Sequence, residues 1–171
     1  MKTIALDALS IAKNIQRDAP INYVPPSEGT KPQNQHVLPH AMVSGTRGYI
    51  EKVVFQINGS YENGWFDSCA VMMRRLVETL IIECFETYGI DYRIKNSDGE
   101  FFHLSDLVSK MLSEPNWNLG RDTKKTLPKL KQLGDRSAHN RRYNAHREDI
   151  DKVLADFRLA CQELLYLARL K

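Results

Sequence analysis

The stretch FDSCAVMMRRLVETLIIECFETY, residues 66–88, decides the fold. Phe66, Cys69, Met72, Met73, Leu76, Leu80, Ile81, Cys84, Phe85 and Tyr88 recur at spacings of three and four, so a 3.6-residue period gathers them into one broad apolar stripe. The pattern starts near Asn63 and stops at Gly89, a residue suited to the left-handed backbone that closes a helix. Asp67 falls in the first turn, where a carboxylate suits the positive end of the helix dipole. Arg74 and Arg75 precede Glu78 by four and three residues, so either can pair with it across one turn. Arg75 and Glu78 are therefore read as supporting residues.

Working outward toward the C-terminus, DYRIKNSDGEFFHL holds a turn centred on Ser97-Asp98-Gly99 and reads as a loop. Ser105 is expected to cap a short helix, DLVSKML, which Glu114-Pro115-Asn116 ends. From about Asn118, the residues Leu119, Thr126, Leu127, Leu130 and Leu133 indicate another helix, with Pro128 demanding a kink or a later start. Asp149 opens the last helix, whose apolar face is read through Ile150, Val153, Leu154, Phe157, Leu159, Ala160, Leu164, Leu165, Leu167 and Leu170.

Toward the N-terminus, Met42, Val43, Tyr49, Ile50, Val53, Val54 and Ile57 indicate a helix ending near Asn58-Gly59. The sequon at Asn58-Gly59-Ser60 is read as a turn. Five of the seven prolines fall between residues 20 and 39 and mark a linker or surface loop. Before it, Ile4, Leu6, Leu9, Ile11 and Ile15 suggest a first amphipathic helix over residues 3–17. With no internal repeat and no β-alternation, the chain is expected to be an all-α helical bundle of about five to six helices. Residues 1–60 would supply the N-terminal helix, the Pro-rich linker and a second helix packed on a bundle formed by 61–171, one compact domain overall.

At 171 residues the chain is long enough for a core without staples. The three cysteines, Cys69, Cys84 and Cys161, are widely spaced in apolar settings and read as buried reduced thiols. The N-terminus carries Asp7 within its apolar stretch and makes a poor signal peptide. No segment reaches the roughly 20 apolar residues of a membrane span. A cytoplasmic protein without membrane association is expected. His36 and His40 stand four apart, but Pro39 lies between them and no acid is near, so no metal site is assigned.

The net charge of +3 is unevenly spread: residues 121–147 hold nine Lys or Arg against two acids, a net +7 that leaves −4 for the rest. Such asymmetry suits an anion-binding surface. Within it, LGDRSAHNRRYNAH at 133–146 gathers two histidines, three arginines, an aspartate, two asparagines and a tyrosine between two helical patterns. Arginine supplies a planar fork for phosphate, and histidine moves a proton near neutral pH. On a helix Arg136 shares a face with His139 and Asn140, and Asp135 with His139, where the carboxylate could orient the imidazole. Arg141 and His146 diverge unless the helix ends between them, as Asn140 and Asn144 suggest. Tyr143 could stack on a base. No P-loop, dinucleotide fingerprint or Ser-His-Asp signature is present, and no cofactor is expected.

FDSCAVMMRRLVETLIIECFE, LPKLKQLGDRSAHNRRYNA and DIDKVLADFRLACQELLYLA, in this order, resemble the HEPN superfamily, closest to a bacterial branch recorded only as a domain of unknown function. The resemblance covers residues 61–171. It implies an all-α bundle, commonly a homodimer, whose active members cleave RNA without metal. In those members an arginine, a polar residue and, after three more positions, a histidine meet their counterparts across the dimer. The ribose 2′-hydroxyl attacks the adjacent phosphate while histidine moves the proton and arginine stabilises the developing charge. Arg141, Arg142 and His146 fit that spacing, with Arg142 where asparagine, aspartate or histidine is more usual. In the closer branch His139, after GDRSA, is the matching histidine, and the upstream cation is Lys131 rather than arginine.

The resemblance thus implies His139, His146 and Arg141 as catalytic candidates with Arg142 and Lys131 as phosphate contacts, and the residue types and helix faces add Arg136, Asn140 and Tyr143 as phosphate or RNA contacts, with Asp135 in support. Two functions fit. One is an RNA or nucleotide-phosphate binding protein, either binding alone or acting as a metal-independent endoribonuclease in defence or stress response. The alternative is a non-catalytic dimerisation or protein-interaction module.

Overall fold

A computed structural model of the chain describes residues 36–171. Every described residue belongs to one compact unit. The helix expected over residues 3–17 and most of the Pro-rich stretch lie outside the described residues. Among those described, five α-helices follow in order: α1 Gly48–Glu62, α2 Phe66–Thr87, α3 Leu104–Ser113, α4 Arg121–His139 and α5 Arg147–Leu167. Two single 3-10 turns, His40–Met42 and Asp91–Ile94, complete the regular structure. No strand forms among these residues; one isolated antiparallel bridge between Lys95 and Phe101 closes the expected turn. The fold is an all-α helical bundle.

α2 is the central element and packs against all four other helices. Its apolar stripe explains why: Phe66, Cys69, Met73, Leu76, Leu80, Ile81, Cys84 and Phe85 are buried, joined by Ala70 and Val77 on flanking positions. Burying a side chain of leucine or phenylalanine size contributes about 1.5–3 kcal/mol, so this helix supplies much of the drive for assembly. α1 and α4 run antiparallel to α2, because Arg47 at the head of α1 reaches Glu83 and Asp135 near the end of α4 reaches Arg74. α5 runs parallel to α2: Ala145, just before it, bonds Asp67, and its C-cap residue Ala168 accepts from the Thr87 hydroxyl.

Glu83 is a carboxylate only 3% exposed on the central helix. Its two oxygens accept from Arg47 Nε at 2.8 Å and from the Tyr49 hydroxyl. A buried charge survives only when paired and hydrogen-bonded, and both conditions are met here. The three cysteines are free and buried, and burial pushes the Cys69 thiol up to about 12, which keeps it in the unreactive thiol form.

Several boundaries differ from the sequence expectation. α1 runs past Asn58-Gly59 to Glu62. The Asn58 side chain is not in a turn: its oxygen accepts from the Leu38 N–H at 3.0 Å and its amide donates to the Leu38 carbonyl at 2.8 Å. Gly64, at φ 75°, is the left-handed residue that ends α1. Around it Gly64 N–H bonds the Tyr61 carbonyl and Trp65 N–H bonds that of Ser60, the paired pattern of a Schellman cap. Gly89 ends α2 in the same way, as expected. Ser105 does not cap α3; the helix starts two residues earlier than expected, at Leu104, with His103 as its N-cap. Pro128 neither ends nor delays α4 and lies inside it.

Candidate nucleic-acid interface

The LGDRSAHNRRYNAH segment divides into the last two turns of α4 and a seven-residue corner, residues 140–146, leading into α5. The helix half is structural. Gly134 is buried where α4 crosses α2, and a Cβ added there would stand 2.5 Å from Arg74 Cβ, well inside van der Waals contact. Only glycine allows this approach. One residue on, Asp135 takes Arg74 Nε at 2.8 Å on one oxygen and Lys131 Nζ at 2.7 Å on the other. Burial opposes ionisation of Asp135, but hydrogen bonds from Lys131 and Arg74 outweigh it and hold the carboxyl below its usual range. Arg74 also lies 3.7 Å from Glu78 on its own helix.

These contacts redistribute the expected roles. Asp135 faces Arg74 and Lys131 instead of orienting His139, and Lys131 is drawn into an ion pair rather than standing open to a phosphate. Of the two arginines beside Glu78, Arg74 makes the network; Arg75 is exposed and makes no ion pair among the described residues. The sequence suits Arg74, Arg75 and Glu78 to an ion pair, between helices or on the surface, but does not display the partner Asp135, because α2 and α4 are brought together by tertiary contacts that no local spacing shows.

The corner half is where the exposed cations stand. His139 is the last residue of α4, and with Asn140, Arg141 and Arg142 it lines an open concavity of about 610 Å³. All four residues are exposed. Asn140 shapes the corner from inside: its side-chain oxygen accepts from the Arg142 N–H at 3.0 Å, and its carbonyl accepts from the Tyr143 N–H at 3.1 Å. This side-chain-to-backbone turn is what asparagine does well.

Tyr143 is half-buried, with the Arg136 guanidinium 4.1 Å from its ring centroid. A cation over the ring is stabilising, and it covers a face that a base would need. Burial, then the Asp149 carboxylate beside it, pushes the Tyr143 hydroxyl up to about 12. Asp149 is itself held below the usual carboxylate range: burial opposes this, but the His146 N–H and the Tyr143 hydroxyl prevail. His146 is the N-cap of α5, in a capping box with Asp149. The box accounts for His146 at this position, directly after the corner. Arg141 and His146 therefore sit on a non-helical turn and at its end, not on one helix face.

Asp67 completes the corner and escaped the sequence reading, which saw only its favourable place in the α2 dipole. Its Oδ1 accepts the backbone N–H of the buried Ala145 at 2.9 Å. Among the described residues no group of three or more His, Cys, Asp or Glu is placed to hold a metal ion, and no helix is long and apolar enough to cross a membrane. No family model matches the chain, and no curated protein or solved structure matches it.

Proposed function

We propose that this protein is a HEPN-like RNA-binding protein that grips phosphate at the α4–α5 corner. One observation carries the reading: Arg141, Arg142 and His139 surround one open, solvent-exposed concavity at the end of the only strongly basic segment of the chain. Two guanidinium forks supply charge and directional donors to phosphate oxygens, and His139 adds a third polar group beside them. The resemblance of residues 61–171 to the HEPN superfamily agrees with RNA as the phosphate source and adds the expectation of a homodimer.

Binding is favoured over cleavage because Lys131, Asp135, Asn140 and His146 all have structural work in the fold. Cleavage, with the 2′-hydroxyl as nucleophile, would fall to His139 as the proton carrier, since it alone of the two histidines lines the concavity with arginines. The test is titration of a labelled single-stranded RNA with wild type and with an Arg141→Ala, Arg142→Ala double variant, alongside incubation of mixed RNA in EDTA. RNA binding lost in the double variant supports the reading. Wild-type protein that binds no RNA disposes of it, and a dimer lacking RNA affinity turns the assignment to an interaction module. Cleavage by wild type but not by His139→Ala establishes the nuclease role.

A further inference from the structure

The corner must hold two adjacent arginines on a stretch with no regular backbone structure. Two of its fasteners lie within the segment itself: the Asn140 turn and the Arg136 guanidinium on the Tyr143 ring. The third comes from another helix. Asp67, 78 residues away in the first turn of α2, accepts the Ala145 N–H at 2.9 Å. α2 is the central helix of the bundle, so this bond ties the corner to the element that packs against every other helix.

The placement is electrostatically adverse for anion binding. A carboxylate bonded to the backbone of that corner lowers the local positive potential and weakens attraction. It is explained if its task is geometric. We infer that Asp67 is the positioning residue of the phosphate-binding corner: by fixing the Ala145 amide it sets the path of residues 141–144 and hence the direction of both arginines. The inference rests on the phosphate-binding reading of the corner.

The opposed signs make a sharp experiment. Affinity for a labelled single-stranded RNA is measured by fluorescence anisotropy for the full-length wild type, Asp67→Ala, Asp67→Asn and Asp67→Glu. Loss of the acceptor frees the Ala145 amide and with it the path of residues 141–144, so Asp67→Ala is expected to bind about tenfold more weakly, about 1.4 kcal/mol. Asp67→Asn keeps an oxygen acceptor and drops the charge, so it binds at least as tightly as wild type.

Asp67→Ala binding as tightly as wild type, or more tightly, overturns the inference, since charge removal alone would then describe the residue. Equal weakening in the alanine and asparagine variants overturns it too. If the alanine variant does not fold, Asp67→Glu decides: it keeps the charge and displaces the oxygen by one methylene, so weaker binding supports positioning and unchanged binding refutes it. Wild-type protein without RNA affinity instead removes the site reading on which this rests.

Discussion

At the scale of single residues, Gly134 and Asp135 show how a segment that looks like a site can be half scaffold. A glycine inside a helix is unfavourable by about 1 kcal/mol relative to alanine. Its presence at 134 is explained by the 2.5 Å separation that a Cβ would have from Arg74 Cβ. Overpacking a tight crossing costs about 1–3 kcal/mol, and the gain in helix propensity offsets part of it, so Gly134→Ala is expected to lose about 1–2 kcal/mol in urea unfolding. A variant as stable as wild type would mean that α2 and α4 separate freely there. Asp135 makes a second, pH-linked case. Its folded carboxyl titrates below its usual range. Its stabilising contribution is therefore complete above the unfolded value of about 3.9 and is lost as pH falls through the lower folded value. Asp135→Asn should be less stable than wild type near neutral pH, with the gap closing as pH falls below the unfolded value and through the lower folded one. A gap that persists in acid would refute the linkage.

At the scale of elements, what was legible followed the periodicity. α2 and α5 were readable because ten or so apolar residues at helical spacing leave no competing pattern, and Gly89 ended α2 where expected. Boundaries failed where a residue had a tertiary partner. Asn58-Gly59 looked like a stop, but the Asn58 amide is engaged by the Leu38 backbone, and the helix continues to the Gly64 cap. The corner was foreseen as a helix end from Asn140; its anchor, Asp67, was not, because a bond across 78 residues has no local signature. Pro128 is the converse, a strong local signal that tertiary packing overrides. It is exposed within α4, while Leu127 and Leu130 beside it are buried and hold the helix together. Proline in a helix interior costs up to about 3 kcal/mol, so Pro128→Ala is expected to raise stability by roughly 1–3 kcal/mol. Eleven residues of helix, about 16 Å, separate position 128 from His139, so RNA affinity should not change. Reduced stability in this variant would show that α4 needs the irregularity.

At the scale of the whole molecule, the question is how much of the +7 segment acts on a bound anion. Its cations are not equivalent. Lys131 is held by Asp135, and Arg136 lies over Tyr143, whereas Arg141 and Arg142 line the open concavity. Lys124, Lys125 and Lys129 are exposed along α4 and form a second group, farther from the corner. The two groups make different contributions to salt dependence, because each phosphate contact on a single strand releases counterions and adds about −0.7 to the slope of log affinity against log salt. If Arg141 and Arg142 each neutralise one phosphate, the double alanine variant should flatten the slope by about 1.4, beyond its loss of affinity at any one salt concentration. A Lys124→Ala, Lys125→Ala, Lys129→Ala variant removes more charge from the same segment, yet should leave the slope close to that of wild type. Charge spread uniformly over the basic stretch would give the reverse ranking, with the triple variant flattening the slope more than the double. Anisotropy titrations of one RNA across a salt series separate the two cases, and the reverse ranking would move the binding surface from the corner to the exposed side of α4.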